Sequence, residues 1–181
     1  MYLTPRRIRW GLFSFFLAIL ALFIIAPLMC AEGEVNGLDG TPVVPDYFDL
    51  WGSLNPISGL VYGAGDILCH QNASRSFELN GNQLPVCVRD ISALAGMVIG
   101  LAASEFIGSR TSVPRVCYPF LLLSFALMAA DVVIQNVLSL NVFPARILTG
   151  FLCGAAVASA LDMWIRTSAE AVGVPLDKIY K

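Results

Sequence analysis

The side chains able to do chemistry are concentrated in one polar stretch, Asp66-Ile67-Leu68-Cys69-His70-Gln71, which continues through Arg75-Ser76-Phe77 to Cys87-Val88-Arg89-Asp90. Thiolate, imidazole and carboxylate together suit a transition metal, zinc above all. Cys69, His70, Cys87 and Asp90, with Asp66 as a substitute carboxylate, therefore make a candidate metal-ligand set. Their spacing matches no known zinc pattern, and two other readings stay open. Cys69 and Cys87 could close a disulfide across a loop of about 18 residues, worth about 3 kcal/mol in an oxidising compartment. His70 could simply hydrogen-bond carbonyls at the end of a helix. The chain has five cysteines and no CxxC, so at least one thiol is unpaired within a monomer and no dithiol redox signature is present.

A second polar set lies inside an apolar segment. Asp131 stands nine residues before Leu140, about 13 Å along a helix axis, where a carboxylate is costly unless it faces the interior of a bundle. Gln135 follows at i+4 on the same face, with Ser124 two turns earlier. A tight turn at Asn141 to Phe143 would set Arg146 level with Leu138, one turn above Gln135, within reach of Gln135 and Asp131. Arg89 opens a neighbouring helix at the same surface. Asp131, Gln135, Arg146 and Arg89 are thus the candidate ligand-binding residues, for a metal cation or small polar solute held jointly with the Cys-His loop. The competing reading is an Asp-Arg pair that only fixes helix register. Glu105 and Asp162 fall near helix ends and are expected at the interface, with Arg110 and Arg166 as local partners.

Composition dictates what must position these groups. Of 181 residues, 57% are hydrophobic and 13% charged, against about 25% charged in soluble domains. The expected fold class is all-α: a polytopic transmembrane helical bundle in the cell membrane, with four spans plus a short re-entrant or interfacial helix. Residues 1–30 hold an N-terminal transmembrane helix, its apolar run Gly11 to Met29 following Arg6, Arg7, Arg9 and Trp10. That run exceeds the apolar region of a signal peptide, about 7–15 residues. Residues 31–56 form an acidic outer loop without Lys or Arg. Residues 57–90 hold a short helix, Ile57 to Leu68, and the Cys-His motif loop. Residues 91–181 form a three-helix transmembrane region, Ile91 to Ile107, Val116 to Leu140 and Pro144 to Ile165, with a short amphiphilic tail beyond Arg166.

With the short segment not spanning, Arg6, Arg7, Arg9, Arg110, Arg115, Arg166, Lys178 and Lys181 collect on one side and Arg75, Arg89 and Arg146 on the other. The positive-inside rule makes the larger group cytoplasmic and the motif loop outward-facing. Gly96, Gly100, Ser104 and Gly108 recur every four residues, as do Gly150, Gly154 and Ala158. Small residues at this spacing let helices approach closely in lipid, within one chain or in a homo-oligomer or with a membrane partner. A net charge of −2 without a basic stripe excludes nucleic acid as a partner.

The string Cys69-His70-Gln71, then Arg75-Ser76-Phe77, then Gly81-Asn82-Gln83-Leu84-Pro85-Val86-Cys87 closed by Arg89, resembles the signature of a family of small predicted membrane proteins of bacteria and archaea known only as a domain of unknown function. The likeness extends through Asp131, Gln135, Arg146, Gly150 and Gly154, over about residues 60 to 160. Members often read Cys-x-Arg-Cys where this chain reads Cys87-Val88-Arg89-Asp90. Asp90 can ligate a metal but cannot form a disulfide, so metal ligation survives the change better than dithiol chemistry does. No complete catalytic constellation is present, so whether the chain is an enzyme is left open. Three functions follow as expectations: binding or transport of a metal cation or polar solute, a membrane thiol oxidoreductase relying on Cys69 and Cys87, or a non-catalytic assembly subunit.

Overall fold

Thr4 accepts a hydrogen bond from the Arg7 amide at 3.4 Å, and Pro5 occupies the first helical turn, so helix α1 (Pro5–Ile25) begins ahead of the apolar run and includes Arg6, Arg7 and Arg9. The computed structural model describes residues 4–40, 46–107, 113–138, 140 and 142–172. After α1 the chain passes through a 3₁₀ turn at Ala26–Met29 and an irregular stretch. Helix α2 (Phe48–Ser53) stands where a plain loop was expected. Helix α3 (Pro56–Leu68) is started by Asn55, whose side chain accepts from Ser58 N at 3.0 Å. A two-residue hairpin pairs strands β1 (Glu78–Leu79) and β2 (Asn82–Gln83). Helices α4 (Val88–Ile107), α5 (Val113–Val137) and α6 (Phe143–Ala171) complete the described chain. Helix α6 continues through the first part of the expected tail, while Lys178 and Lys181 lie outside the described residues.

Among the described residues, three segments are long and apolar enough to cross a membrane: Pro5–Met29, Val116–Val137 and Phe143–Ala171. Helix α4, whose 20 residues include Arg89, Asp90 and Glu105, is not among these three. Helix α3, at 13 residues, is about 20 Å long and too short to cross. In α5 only 11% of the apolar window is buried against 44% in α6, so α6 is the central helix and α5 a peripheral one. Leu122, Leu123, Phe125, Val133 and Val137 of α5, and Phe15, Leu22 and Ile25 of α1, are exposed as lipid-facing side chains must be.

The tightest packing joins α4 to α6. A Cβ at Gly96 would overlap the Phe151 carbonyl, one at Gly150 the Arg89 carbonyl, and one at Gly154 the Ala93 carbonyl. At Gly100 it would fall 2.7 Å from Ala158 Cβ. Both stripes of small residues are therefore used against each other within one chain; Gly108 lies outside the described residues. Lipid offers no hydrophobic drive for this contact, so van der Waals fit supplied by absent side chains holds the pair.

At one end of the helices the connecting segments form a cap with an apolar core of its own, including Phe23, Val35, Leu38, Trp51, Val61, Tyr62, Leu84 and Val86. Trp51 stacks on Tyr62 with centroids 5.2 Å apart. Three buried amides fasten the cap. Asn82 accepts from Val35 N at 2.8 Å and donates to the carbonyls of Pro27 at 3.0 Å and Ala31 at 2.8 Å. Gln83 accepts from Leu38 N at 3.2 Å and donates to the Gln71 carbonyl. Gln71, held at φ +47°, donates to the carbonyls of Tyr62 and Pro85, each at 2.9 Å.

Candidate functional site

Two contacts bring the cysteines together. Gly65 lets α3 press on the Pro85 carbonyl, which no Cβ would allow, and Gln71 bridges Tyr62 to Pro85. Cys69, four residues after Gly65, ends α3, and Cys87, two after Pro85, precedes α4. Cys69 Sγ, Cys87 Sγ and an Asp90 oxygen all lie within 4.8 Å of one another. The Cys87 amide donates to Cys69 Sγ at 3.3 Å, and the Cys87 thiol donates to Asp90 Oδ2 at 3.1 Å. The Cys69 thiol donates to Cys87, which lowers the pKa of Cys87 against the opposing effects of burial and Asp90. The same bond raises that of Cys69, as do burial and the Asp90 charge. Cys87 is thus the thiol that ionises first. All five cysteines are thiols, including the isolated, buried Cys30, Cys117 and Cys153.

His70 is not brought into this group. Cys69 has extended backbone, φ −143° and ψ 152°, so its neighbour points the other way, and His70 is exposed. Asp66 is also elsewhere: fully buried in the cap, it accepts from Trp51 Nε1 at 2.8 Å and Tyr47 N at 3.4 Å.

The second set of residues does converge. Arg89 Nη2 meets Asp131 Oδ2 at 2.6 Å, Gln135 Nε2 donates to Asp131 Oδ1, and Arg146 Nε donates to Gln135 Oε1 at 2.5 Å. Thr149, one turn beyond Arg146 on α6, adds a bond to Asp131 Oδ2 at 3.3 Å. Asp131, Gln135 and Arg146 are all buried. Thr149 was missed in the sequence although it follows Arg146 at i+3, because a threonine in a helix usually bonds its own backbone, as this one also does to Ala145 O at 2.8 Å. The motif loop reaches the same place, with Phe77 edge-on to Phe143 at 5.8 Å.

At the opposite end a third polar group forms around Arg9. Its Nη1 contacts Glu105 Oε2 at 2.5 Å and its Nε contacts Asp162 Oδ1 at 2.7 Å. Arg6 Nε meets Glu105 Oε1 at 2.9 Å, Arg166 Nε meets Asp162 Oδ2 at 2.7 Å, and Arg166 Nη2 donates to the Ser104 carbonyl at 2.9 Å. The pairing of Asp162 with Arg166 was expected. Glu105 is instead held by α1, since α1 extends far enough to bring Arg6 and Arg9 beside it; Arg110 lies outside the described residues.

Helices that expose apolar side chains outward and pair their charges inward define a multi-pass helical membrane protein. The chain belongs to the family described as "Predicted membrane protein (DUF2085)", whose model matches residues 69–160. It is also 28% identical over 146 residues to an uncharacterized protein of Methanocaldococcus jannaschii, covering 79% of this chain and 82% of that one. No solved structure matches the chain.

Proposed function

We propose that this protein is a four-span membrane protein that binds a transition-metal ion, zinc fitting best, on its outward-facing cap through Cys69, Cys87 and Asp90. The observation that carries the reading is the convergence of two sulfurs and a carboxylate oxygen within 4.8 Å. Two thiolates and a carboxylate are a borderline-soft donor set suited to zinc, and three protein ligands leave a fourth position open. The Cys87 amide aimed at Cys69 Sγ is the outer-shell support a metal-bound thiolate uses. The oxygens of Asp131 are already taken by Arg89, Gln135 and Thr149, so the cation belongs at the thiols and not at Asp131.

Four spans are supported by the two polar ends. Helix α4, at 20 residues, is about 30 Å long, enough to cross. The start of α4 meets Asp131 and the start of α6 meets Gln135, while the start of α1 meets Glu105 and Asp162. The side with fewer basic residues, carrying Arg75, Arg89 and Arg146, is then the outer one.

A thiol-disulfide couple between Cys69 and Cys87 is the second reading, favoured by the hydrogen bond that makes Cys87 the more acidic thiol. Cobalt(II) titration of the purified, reduced protein separates the two. Metal binding predicts a sulfur-to-cobalt charge-transfer band that zinc abolishes, with affinity lowered about tenfold or more in Cys69→Ser and Cys87→Ser and unchanged in His70→Ala. Absence of that band, with stoichiometric loss of two thiols on mild oxidation, would refute the metal reading in favour of the couple.

A further inference from the structure

We propose that Arg75, Arg89 and Arg146 form a binding site for an oxyanion of the phosphate class at the cap end of the helices. It is separate from the metal reading and does not depend on it.

Buried guanidinium groups are normally matched by carboxylates. Arg146 is 2% exposed, yet its side chain bonds a neutral amide, Gln135 Oε1, and forms no ion pair among the described residues. The nearest carboxylate of this network is committed elsewhere: Asp131 Oδ1 accepts from Gln135, and Oδ2 accepts from Arg89 and Thr149. Arg89 is itself incompletely matched, because its Nε is buried without a hydrogen-bond partner. Arg75, carried by the motif loop and half-buried, makes no side-chain hydrogen bond or ion pair among the described residues. Phe77, two residues beyond Arg75, packs edge-on against Phe143, three residues before Arg146, which brings the motif loop to the start of α6.

Among the described residues Arg89 is the one of these three guanidiniums that meets a carboxylate, Asp131, while Asp90 accepts from the Cys87 thiol. The unused groups are all donors, and arginine does not lose its proton, so a cation cannot satisfy them. An oxyanion can, by accepting several N–H bonds in the fork geometry that guanidinium groups present. The first turns of α4 and α6 lie at the same end, and the partial positive charge of a helix start adds to the attraction.

Phosphate chemistry could be offered by a soluble anion or by a lipid headgroup, and two measurements separate them. Inorganic phosphate is titrated calorimetrically into the delipidated full chain at low salt with a chelator present. In parallel, retention of phosphatidylglycerol over phosphatidylcholine is read by native mass spectrometry from mixed-lipid nanodiscs. Arg75 is the residue to vary, since it has no structural partner to lose. Arg75→Ala is expected to weaken binding about tenfold, the loss of one charge-assisted hydrogen bond, and Arg75→Lys to restore part of it. A drop in phosphate affinity identifies a soluble oxyanion, and a drop confined to phosphatidylglycerol retention identifies the headgroup. If the wild type binds neither, or if Arg75→Ala binds both as well as the wild type does, the site does not exist.

Discussion

Asp131 shows how one side chain decides the use of its surroundings. Its two oxygens are shared among Arg89, Gln135 and Thr149, which ties α5 to both α4 and α6. Asp131→Asn removes the charge while keeping the volume, leaving Arg89 uncompensated, and is expected to cost about 3 kcal/mol. Denaturation of the purified protein should register that loss, while the cobalt spectrum stays as in the wild type because Asp131 is not among the thiol-side ligands. A wild-type stability would contradict a structural pair. The convergence of Asp131, Gln135 and Arg146 was legible because helical periodicity and a short turn fix their relative height. The roles of Asn82 and Gln83 were not, since their partners, Val35, Leu38, Pro27, Ala31 and Gln71, are distant or backbone atoms that leave no trace in residue type. For the same reason His70 looked like a ligand: adjacency to Cys69 suggests a shared site, and only the extended backbone there turns the two apart.

Among the helices, α4 and α6 depend most on each other. Gly154→Ala adds a single methyl group where the Ala93 carbonyl already sits, so the helices must separate, at about 1–3 kcal/mol or more. Gly11→Ala on α1 is the control, because nothing lies within 4 Å of its added Cβ. Thermal unfolding in detergent should fall for the first variant and hold for the second. Equal stability of both would mean that the close approach is not needed. The long helices were readable from their apolar runs, and the glycine stripes from their four-residue spacing. Their ends were less so: α1 starts at a threonine cap and proline ahead of the apolar stretch, and α2 was hidden in an acidic segment punctuated by glycine and proline.

The molecule as a whole has two polar ends joined by an apolar waist, the cap with Arg89 and Asp131 at one and Arg9 with Glu105 and Asp162 at the other. The distribution of basic residues predicts that the cap faces outward. A cysteine placed at exposed Ser74, in a background stripped of native thiols, should react with an impermeant maleimide in intact cells, and one at exposed Glu170 should react only after permeabilisation. The opposite pattern would invert the protein in the membrane. The ion group at the second end also bears on biosynthesis. Arg9 enters the bilayer with the first helix, but Asp162, to which it bonds, is translated 153 positions later. Glu105 and the glycine face of α4 likewise emerge before α6 exists to cover them. The nascent chain must therefore hold unmatched charge and bare backbone at the translocon until α6 arrives, which makes the arrival of α6 a step at which an insertase or protease can tell a covered α4 from an uncovered one.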